Sequence, residues 1–298
     1  MHARQTAGPR MRGVTSVGRI SGVALTVAPL VACFERKGRS RWFAGLLLWA
    51  MMQSMAAQAA SVFIEDLTWT EVRQSLQRGV TTAIYYAGST EQNGPHMALG
   101  KHNVIARHVA GRVAEALGDA LVYPVLPFAP TGDAVKKTDH MRYPGTVSVS
   151  DATYAAVAGE VALSAVAAGF RTVVLMGDHG GGQEALKQRA ALLDAQTRAH
   201  GVRVLYVPDV YFRSADLAAD YLKRRGLDPG RHAALQDTAE LMYLDRDRQW
   251  IRPQAMAAGK PGSGVDGDPR GATAELGKVL LDFKVDSAVA QIRQLRGR

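Results

Sequence analysis

Four short apolar runs, each separated from the next by a stretch of helical periodicity, constrain this chain more than any other feature. Residues 80–86, 120–125, 172–176 and 202–207 read as strands. Runs this continuously apolar are buried on both faces, which a mostly parallel sheet covered by helices achieves. The spacing predicts a helix over 69–78, opened by a Thr68-Trp69-Thr70-Glu71 capping box and stopped at Gly79. Ile105, Val109 and Val113 recur every fourth residue within a helix over 102–117. Alanine-rich 151–168 and then 184–200 read as the next two helices, and further helices are expected near 215–225, 234–244 and 274–295. Two long loops stand out. Residues 127–145 are too long for a plain connection inside a compact domain. Residues 256–271 hold five glycines and two prolines, a composition suited to a surface loop or lid.

The formal charge of +9 suggests a nucleic-acid partner, but its distribution argues otherwise. Eight of the 36 bases and one of the 27 acids lie before Ala60, so 28 bases face 26 acids in the remainder, a balance of +2. A body so nearly neutral offers no electrostatic footprint for DNA or RNA. The bases at Arg36, Lys37, Arg39 and Arg41 instead front an apolar run from Trp42 to Met52, followed by Ala57-Gln58-Ala59. That order is the anatomy of a cleavable secretory signal, with a run too short to span a bilayer comfortably. Residues 1–59 are therefore expected to be a leader and 60–298 a single domain, exported to the periplasm or beyond and free of the membrane after cleavage. Residues 1–34 carry a second apolar run ending at Cys33, most simply explained by a start assigned too far upstream. Cys33 is the sole cysteine, so the body has no disulfide.

Chemistry-bearing residues gather after two of the strand runs, where α/β proteins place their sites. The first loop contains Glu91-Gln92-Asn93-Gly94-Pro95-His96, with His102 shortly after. A carboxylate and two imidazoles around a Gly-Pro turn suit a metal, although Glu91 on position alone could equally cap the next turn and His102 has an N-cap-like place at an exposed helix start as its alternative. The second loop is Asp178-His179-Gly180-Gly181-Gly182-Gln183. No Lys-Ser or Lys-Thr closes its glycines, which argues against a nucleotide cradle. His232, Asp237 and Glu240 cluster at a helix start, where acids also simply favour the helix dipole. With no serine elbow and no cysteine in the body, metal-activated water is the economical hydrolytic chemistry.

Together these segments resemble the creatininase family of metal-dependent amidohydrolases. In that family a strand leads into Glu-Gln-His-Gly-Pro-His and a later Asp, matched here by Glu91 to His96 and by His102. A His before Phe-Pro-Gly-Thr is matched by His140 before Tyr143-Pro144-Gly145-Thr146. Asn-Gly-His-Gly-Gly-Asn is matched by Asp178-His179-Gly180-Gly181 with Gln183, and His-Ala-Gly-Glu-x-Glu-Thr-Ser loosely by the segment from His232 to Ala239. Three positions depart from the pattern. Asn93 replaces a ligating His, His102 replaces the Asp that bridges two metals, and glycine follows His179 where creatinine-hydrolysing members have an acid.

The resemblance implies a three-layer α/β/α sandwich, often assembled into homo-oligomers, that hydrolyses amide C–N bonds. It also implies that Glu91, His102 and His179 face one divalent ion per subunit (zinc, manganese or iron). Two readings follow. In the first the protein is a hydrolase of a small, cyclic or linear, amide. Asp178 or Asp237 is then the general base, His140 or His232 orients the substrate, and Asn93, His96 and Gln183 contact it. In the second the fold is kept but catalysis is lost, and a small molecule binds through His96, His140 and His179.

Overall fold

The computed structural model describes residues 61–297, so the expected leader and its cleavage site at Ala57 to Ala59 lie outside the described residues. The predicted alternation of strands and helices is present. Helix α1 (Trp69–Gln77) opens on the expected capping box. The Thr68 N–H donates to Glu71 Oε2 at 2.7 Å, and the Glu71 N–H donates back to the Thr68 hydroxyl. Strand β1 (Thr82–Ala87) leads through helix α2 (Lys101–Leu117) to strand β2 (Ala120–Val122). Helix α3 (Asp151–Ala168) is capped by the Ser150 hydroxyl and ended by Gly169, and leads to strand β3 (Thr172–Gly177). Helix α4 (Gln183–Thr197), strand β4 (Arg203–Tyr206) and helices α5 (Phe212–Lys223), α6 (Leu235–Leu244) and α7 (Ala274–Leu295) complete the order.

All four strands are parallel, in the order β2-β1-β3-β4. Pleating divides the core into two layers. Ile84 and Tyr86 of β1 point to one face, against Ile105 and Val109 of α2 and Leu281, Val285 and Ile292 of α7. Ala83, Tyr85 and Ala87 point to the other, against Tyr154, Ala158 and Ala162 of α3 and Leu186 and Leu193 of α4. The expected α/β/α sandwich is therefore what the residues build. Among the described residues no helix is long and apolar enough to cross a membrane.

Strand ends differ from the sequence expectation where proline intervenes. Strand β2 stops at Val122 rather than at residue 125. The Tyr123 N–H still donates to Ile84 O at 2.8 Å, but Pro124 has no N–H with which to continue the ladder. Likewise β4 gives way to a 3₁₀ turn at Pro208–Val210. Helix α5 begins three residues earlier than expected because that turn feeds directly into it.

This strand order fixes where a site forms. From β1 the chain crosses through α2 to β2 on one side, and from β2 through α3 to β3 on the other. The order therefore reverses at β1, and a crevice opens beyond the carboxyl ends of β1 and β3. Both polar loops identified in the sequence leave the sheet at that crevice. Helices α6 and α7 close it from the side of α2. Gly277 permits their tight packing, since a Cβ there would lie 1.8 Å from the Ala239 carbonyl oxygen.

Candidate active site

The crevice is a cavity of about 700 Å³. The loop after β1 carries Glu91 to its floor, where it is 1 % exposed. Glu91 Oε1 lies 3.1 Å from His102 Nε2, and Oε2 lies 2.7 Å from His179 Nε2 while accepting from the Ser89 hydroxyl. The two separated loops do meet, on a single carboxylate.

Asp178 sits directly after β3, anchored by its N–H on the Ala87 carbonyl. Its side chain is fully engaged. Oδ2 lies 2.8 Å from His102 Nδ1, and Oδ1 accepts from the Tyr86 hydroxyl at 2.9 Å and from Lys284 Nζ at 3.0 Å. Burial alone would raise this carboxyl, but Lys284 and His102 outweigh it and bring it down to about 2. Asp237 is also lowered, because Lys101, 2.9 Å away, overcomes its burial. Both residues named as general bases are thus paired carboxylates of weak basicity at neutral pH. Asp178 serves as the orienting partner of His102, and Asp237 as the counter-ion of Lys101.

The hydrogen bonds assign ring protons. Asp178 can only accept from His102, so Nδ1 carries a hydrogen. A neutral His102 would then aim the bare Nε2 at Glu91 Oε1, two acceptors 3.1 Å apart. A proton or a metal cation between them resolves that clash. Without metal the proton is favoured: burial and Lys101 oppose the charged ring, but Glu91 and Asp178 outweigh them and raise the His102 pKa. A carboxylate behind a ring whose far nitrogen faces a second carboxylate is the arrangement that orients histidine toward a metal. His179 differs. Its Nδ1 accepts from the Gly181 N–H at 3.0 Å, so its neutral form donates from Nε2 to Glu91.

His140 and His232 enter from the far wall. Gln92 Oε1 accepts from the Gly94 N–H, which turns its amide nitrogen toward His140 Nδ1 at 2.9 Å and His232 Nε2 at 3.0 Å. Both rings are shifted down, chiefly by burial, His232 to about 4. Glu91, His140 and His232 each offer a ligand-capable atom within 4.8 Å of the others. These two imidazoles, expected from sequence to orient substrate, thus stand within ligand reach of Glu91. The donor set suits a divalent cation in charge as well. Six carboxylates line the cavity (Glu91, Asp139, Asp178, Asp216, Asp237 and Glu240) against three bases (Lys101, Arg231 and Lys284), a formal excess of three negative charges when the rings are neutral.

Three residues expected against a substrate are placed behind the wall instead. Asn93 donates to the Glu91 carbonyl at 2.9 Å, and His96 Nε2 pairs with the Thr238 hydroxyl. Gln183 donates to the carbonyls of Gly177 and His179 and accepts from the Tyr206 hydroxyl. None of the three lines the cavity. They brace the loops that carry Glu91 and His179. Two residues after His179 a side chain is excluded sterically, since a Cβ on Gly181 would lie 2.0 Å from the Pro130 carbonyl oxygen.

Sequence reasoning missed Lys101, Lys284 and Tyr86. Lys101 adjoins a suspected ligand, which was a usable signal. Lys284 reaches Asp178 across 106 residues, and no local pattern marks it.

A family model described as creatinine amidohydrolase matches residues 65–292. A mycofactocin precursor peptide peptidase of Mycolicibacterium smegmatis is 31% identical over 238 residues, covering 76% of this chain and 90% of that protein. A creatinine amidohydrolase of Pseudomonas putida is 32% identical over 119 residues, covering 40% of this chain and 45% of that one. Among solved structures, a creatininase variant of zinc–zinc type superposes with a TM-score of 0.67 at 23% identity, covering 79% of this chain and 98% of that one. A manganese creatininase superposes with a TM-score of 0.65 at 24% identity, covering 78% and 98%.

Proposed function

The chain belongs to the creatininase family, and from that premise we propose that it is a metal-dependent amidohydrolase holding one divalent ion at Glu91. The observation that carries this reading is the Glu91 carboxylate. Its two oxygens meet His102 and His179, with His140 and His232 within ligand reach, on the floor of the polar crevice. Glu91 and His102 are the primary ligand candidates; His179 would join them with its ring proton moved from Nε2 to Nδ1, which gives up the Gly181 N–H bond, and the Glu91–His140–His232 group is the competing set. When bound, the ion would polarise an amide carbonyl and lower the pKa of a coordinated water.

The chain's own residues supply the rest. Asp178 holds the His102 ring with Nε2 turned inward, and Lys284 with Tyr86 holds Asp178. His232 Nε2 lies 3.0 Å from both the Gln92 carbonyl oxygen and the Gln92 side-chain amide nitrogen, and in the tautomer that donates to the carbonyl its Nδ1 is free to take a proton. Because its pKa is pushed down to about 4, that ring is neutral at physiological pH and is the better general-base candidate than either paired aspartate. The bond broken is an amide C–N bond of a small molecule or short peptide. A peptide peptidase and a creatinine amidohydrolase among the relatives support that range.

The test has two arms. Metal content is measured on purified protein and on Glu91→Ala and His179→Ala. Amine release is then measured on short peptides and cyclic amides. Unchanged metal in both variants sinks the ligand assignment. The departures at Asn93 and His102 favour a second reading, a binding protein without catalysis. Stabilisation by an organic ligand but by no divalent ion would select it.

Export remains part of the proposal. It rests on the basic front at Arg36 to Arg41, the apolar run and Ala57-Gln58-Ala59. Sequencing the secreted protein should find a first residue near Ala60, and an uncleaved leader would contradict it.

A further inference from the structure

Lys101 is the most conspicuous group in the cavity to which the reaction outlined above gives no task. It is the first residue of α2, is 1 % exposed, and lines the cavity beside Glu91 and His102. An ammonium has three N–H donors. Among the described residues its one ion-pair partner is Asp237 Oδ2 at 2.9 Å, and that oxygen also accepts the Ala233 N–H at 2.7 Å. The contrast with Lys284 is informative. Lys284 is spent between Asp178 at 3.0 Å and Glu240 at 3.7 Å. A buried cation with unspent donors is expensive, and an apolar side chain of similar volume commonly serves packing as well or better. The Lys101 ammonium is placed for a ligand.

We propose that Lys101 is a catalytic residue that donates its free N–H bonds to the scissile carbonyl oxygen of the substrate and holds the negative charge that develops there. The proposal rests on the amidohydrolase reading and gives it an electrophile built into the chain. The electron bookkeeping is simple. Water adds through its oxygen to the carbonyl carbon, and the C=O π pair moves onto the oxygen facing Lys101. The water's proton passes to the free imidazole nitrogen of His232. When the pair returns, the C–N bond breaks and the departing amine takes that proton, leaving a carboxylic acid. Lys101 itself forms and breaks no covalent bond. A fixed cation aimed at a developing oxyanion in a site sheltered from water is among the largest contributions an active site makes.

The experiment compares wild type, Lys101→Arg and Lys101→Met, each loaded with the same divalent metal. Inorganic phosphate serves as a tetrahedral oxyanion probe by calorimetry, and amide hydrolysis is followed in parallel. Hydrogen bonds to charged groups contribute roughly 1.5–3 kcal/mol, which corresponds to about 10- to 150-fold. Lys101→Met should therefore weaken phosphate binding at least tenfold and lower kcat comparably, with KM moving less than threefold. Lys101→Arg should recover part of both. If Lys101→Met does not fold, the charge-balanced pair Lys101→Met with Asp237→Asn replaces it for the phosphate measurement. A wild type that binds no phosphate, or a folded variant that binds it within twofold of wild type, overturns the inference. So does an undiminished kcat, which leaves the amidohydrolase reading standing. Loss of phosphate binding in a protein that hydrolyses no amide supports the oxyanion role of Lys101 and retires the reaction class instead.

Discussion

Replacing Asp178 by Asn tests the orientation of His102 with almost no change in shape. In the native site Asp178 Oδ2 accepts from His102 Nδ1 at 2.8 Å, so Nε2 faces Glu91 without a hydrogen whenever the ring is neutral. An Asn that keeps its oxygen toward Lys284 and Tyr86 turns its NH₂ toward His102. Nδ1 must then accept, the proton moves to Nε2, and the nitrogen facing Glu91 becomes a donor. Loss of such an orienting carboxylate weakens metal binding about 10- to 100-fold. Stability falls too, since breaking a buried ion pair costs about 3–5 kcal/mol. Glu240 at 3.7 Å still faces Lys284, so the lower end, about 3 kcal/mol, is expected. Metal affinity would be read by competition with a chromophoric chelator, and stability by urea unfolding of the metal-free protein. Tyr86→Phe is the control. It removes one donor to Asp178 and should cost about 1 kcal/mol while leaving metal affinity unchanged. If Asp178→Asn binds metal within twofold of wild type, the tautomer argument is wrong and His102 is no ligand.

Three further outcomes follow from the same geometry. Glu91→Gln should strip metal by about two orders of magnitude and abolish amide hydrolysis, while Gln183→Ala, which removes a brace behind the wall, should lower stability by about 1–3 kcal/mol with metal still bound. On acidification the metal-free protein should weaken in two stages. His232 has a folded pKa depressed from 6.5 to about 4, so the unfolded chain binds the extra proton and about 3 kcal/mol is lost as pH falls between those values. Asp178, depressed from 3.8 to about 2, contributes about 2 kcal/mol that is complete above pH 3.8 and lost as pH falls through 2, and a flat stability profile from pH 7 to 4 in urea titrations would contradict the first stage. Gly277→Ala should cost about 1–3 kcal/mol by forcing α6 from α7, seen as a lowered Tm, and an unaltered Tm would show that the helices yield freely.

The layered architecture was legible because β1 and β3 are buried at every position and their connecting helices carry clear caps at Thr68, Ser150, Gly118 and Gly169. Glu91, His102 and His179 were legible because short loops carry them off adjacent strands. The roles of neighbouring side chains were not. Asn93, His96 and Gln183 have the chemistry of ligand-binding groups, and only their partners reveal that Asn93 and Gln183 hold backbone carbonyls and that His96 is spent on the Thr238 hydroxyl. His140 and His232 lie 92 residues apart in sequence, and nothing local indicates that Gln92 draws both toward Glu91. Long-range ion pairs such as Lys284 with Asp178 leave no spacing to read, because two helices and a sheet determine them.

Gln92 carries a mechanical consequence. One glutamine fastens its own loop at Gly94 and the long segment bearing His140 through its side-chain amide, and the segment bearing His232 through its backbone carbonyl. These three stretches cannot swing independently, since displacing any one of them breaks contacts shared with the others. Admission of a bulky guest therefore proceeds either with the trio moving as one flap or past a rim that stays put. Shortening that amide to Asn would cut the side-chain tethers and free the stretch bearing His140 from the other two, loosening the entrance while leaving the floor beneath it undisturbed.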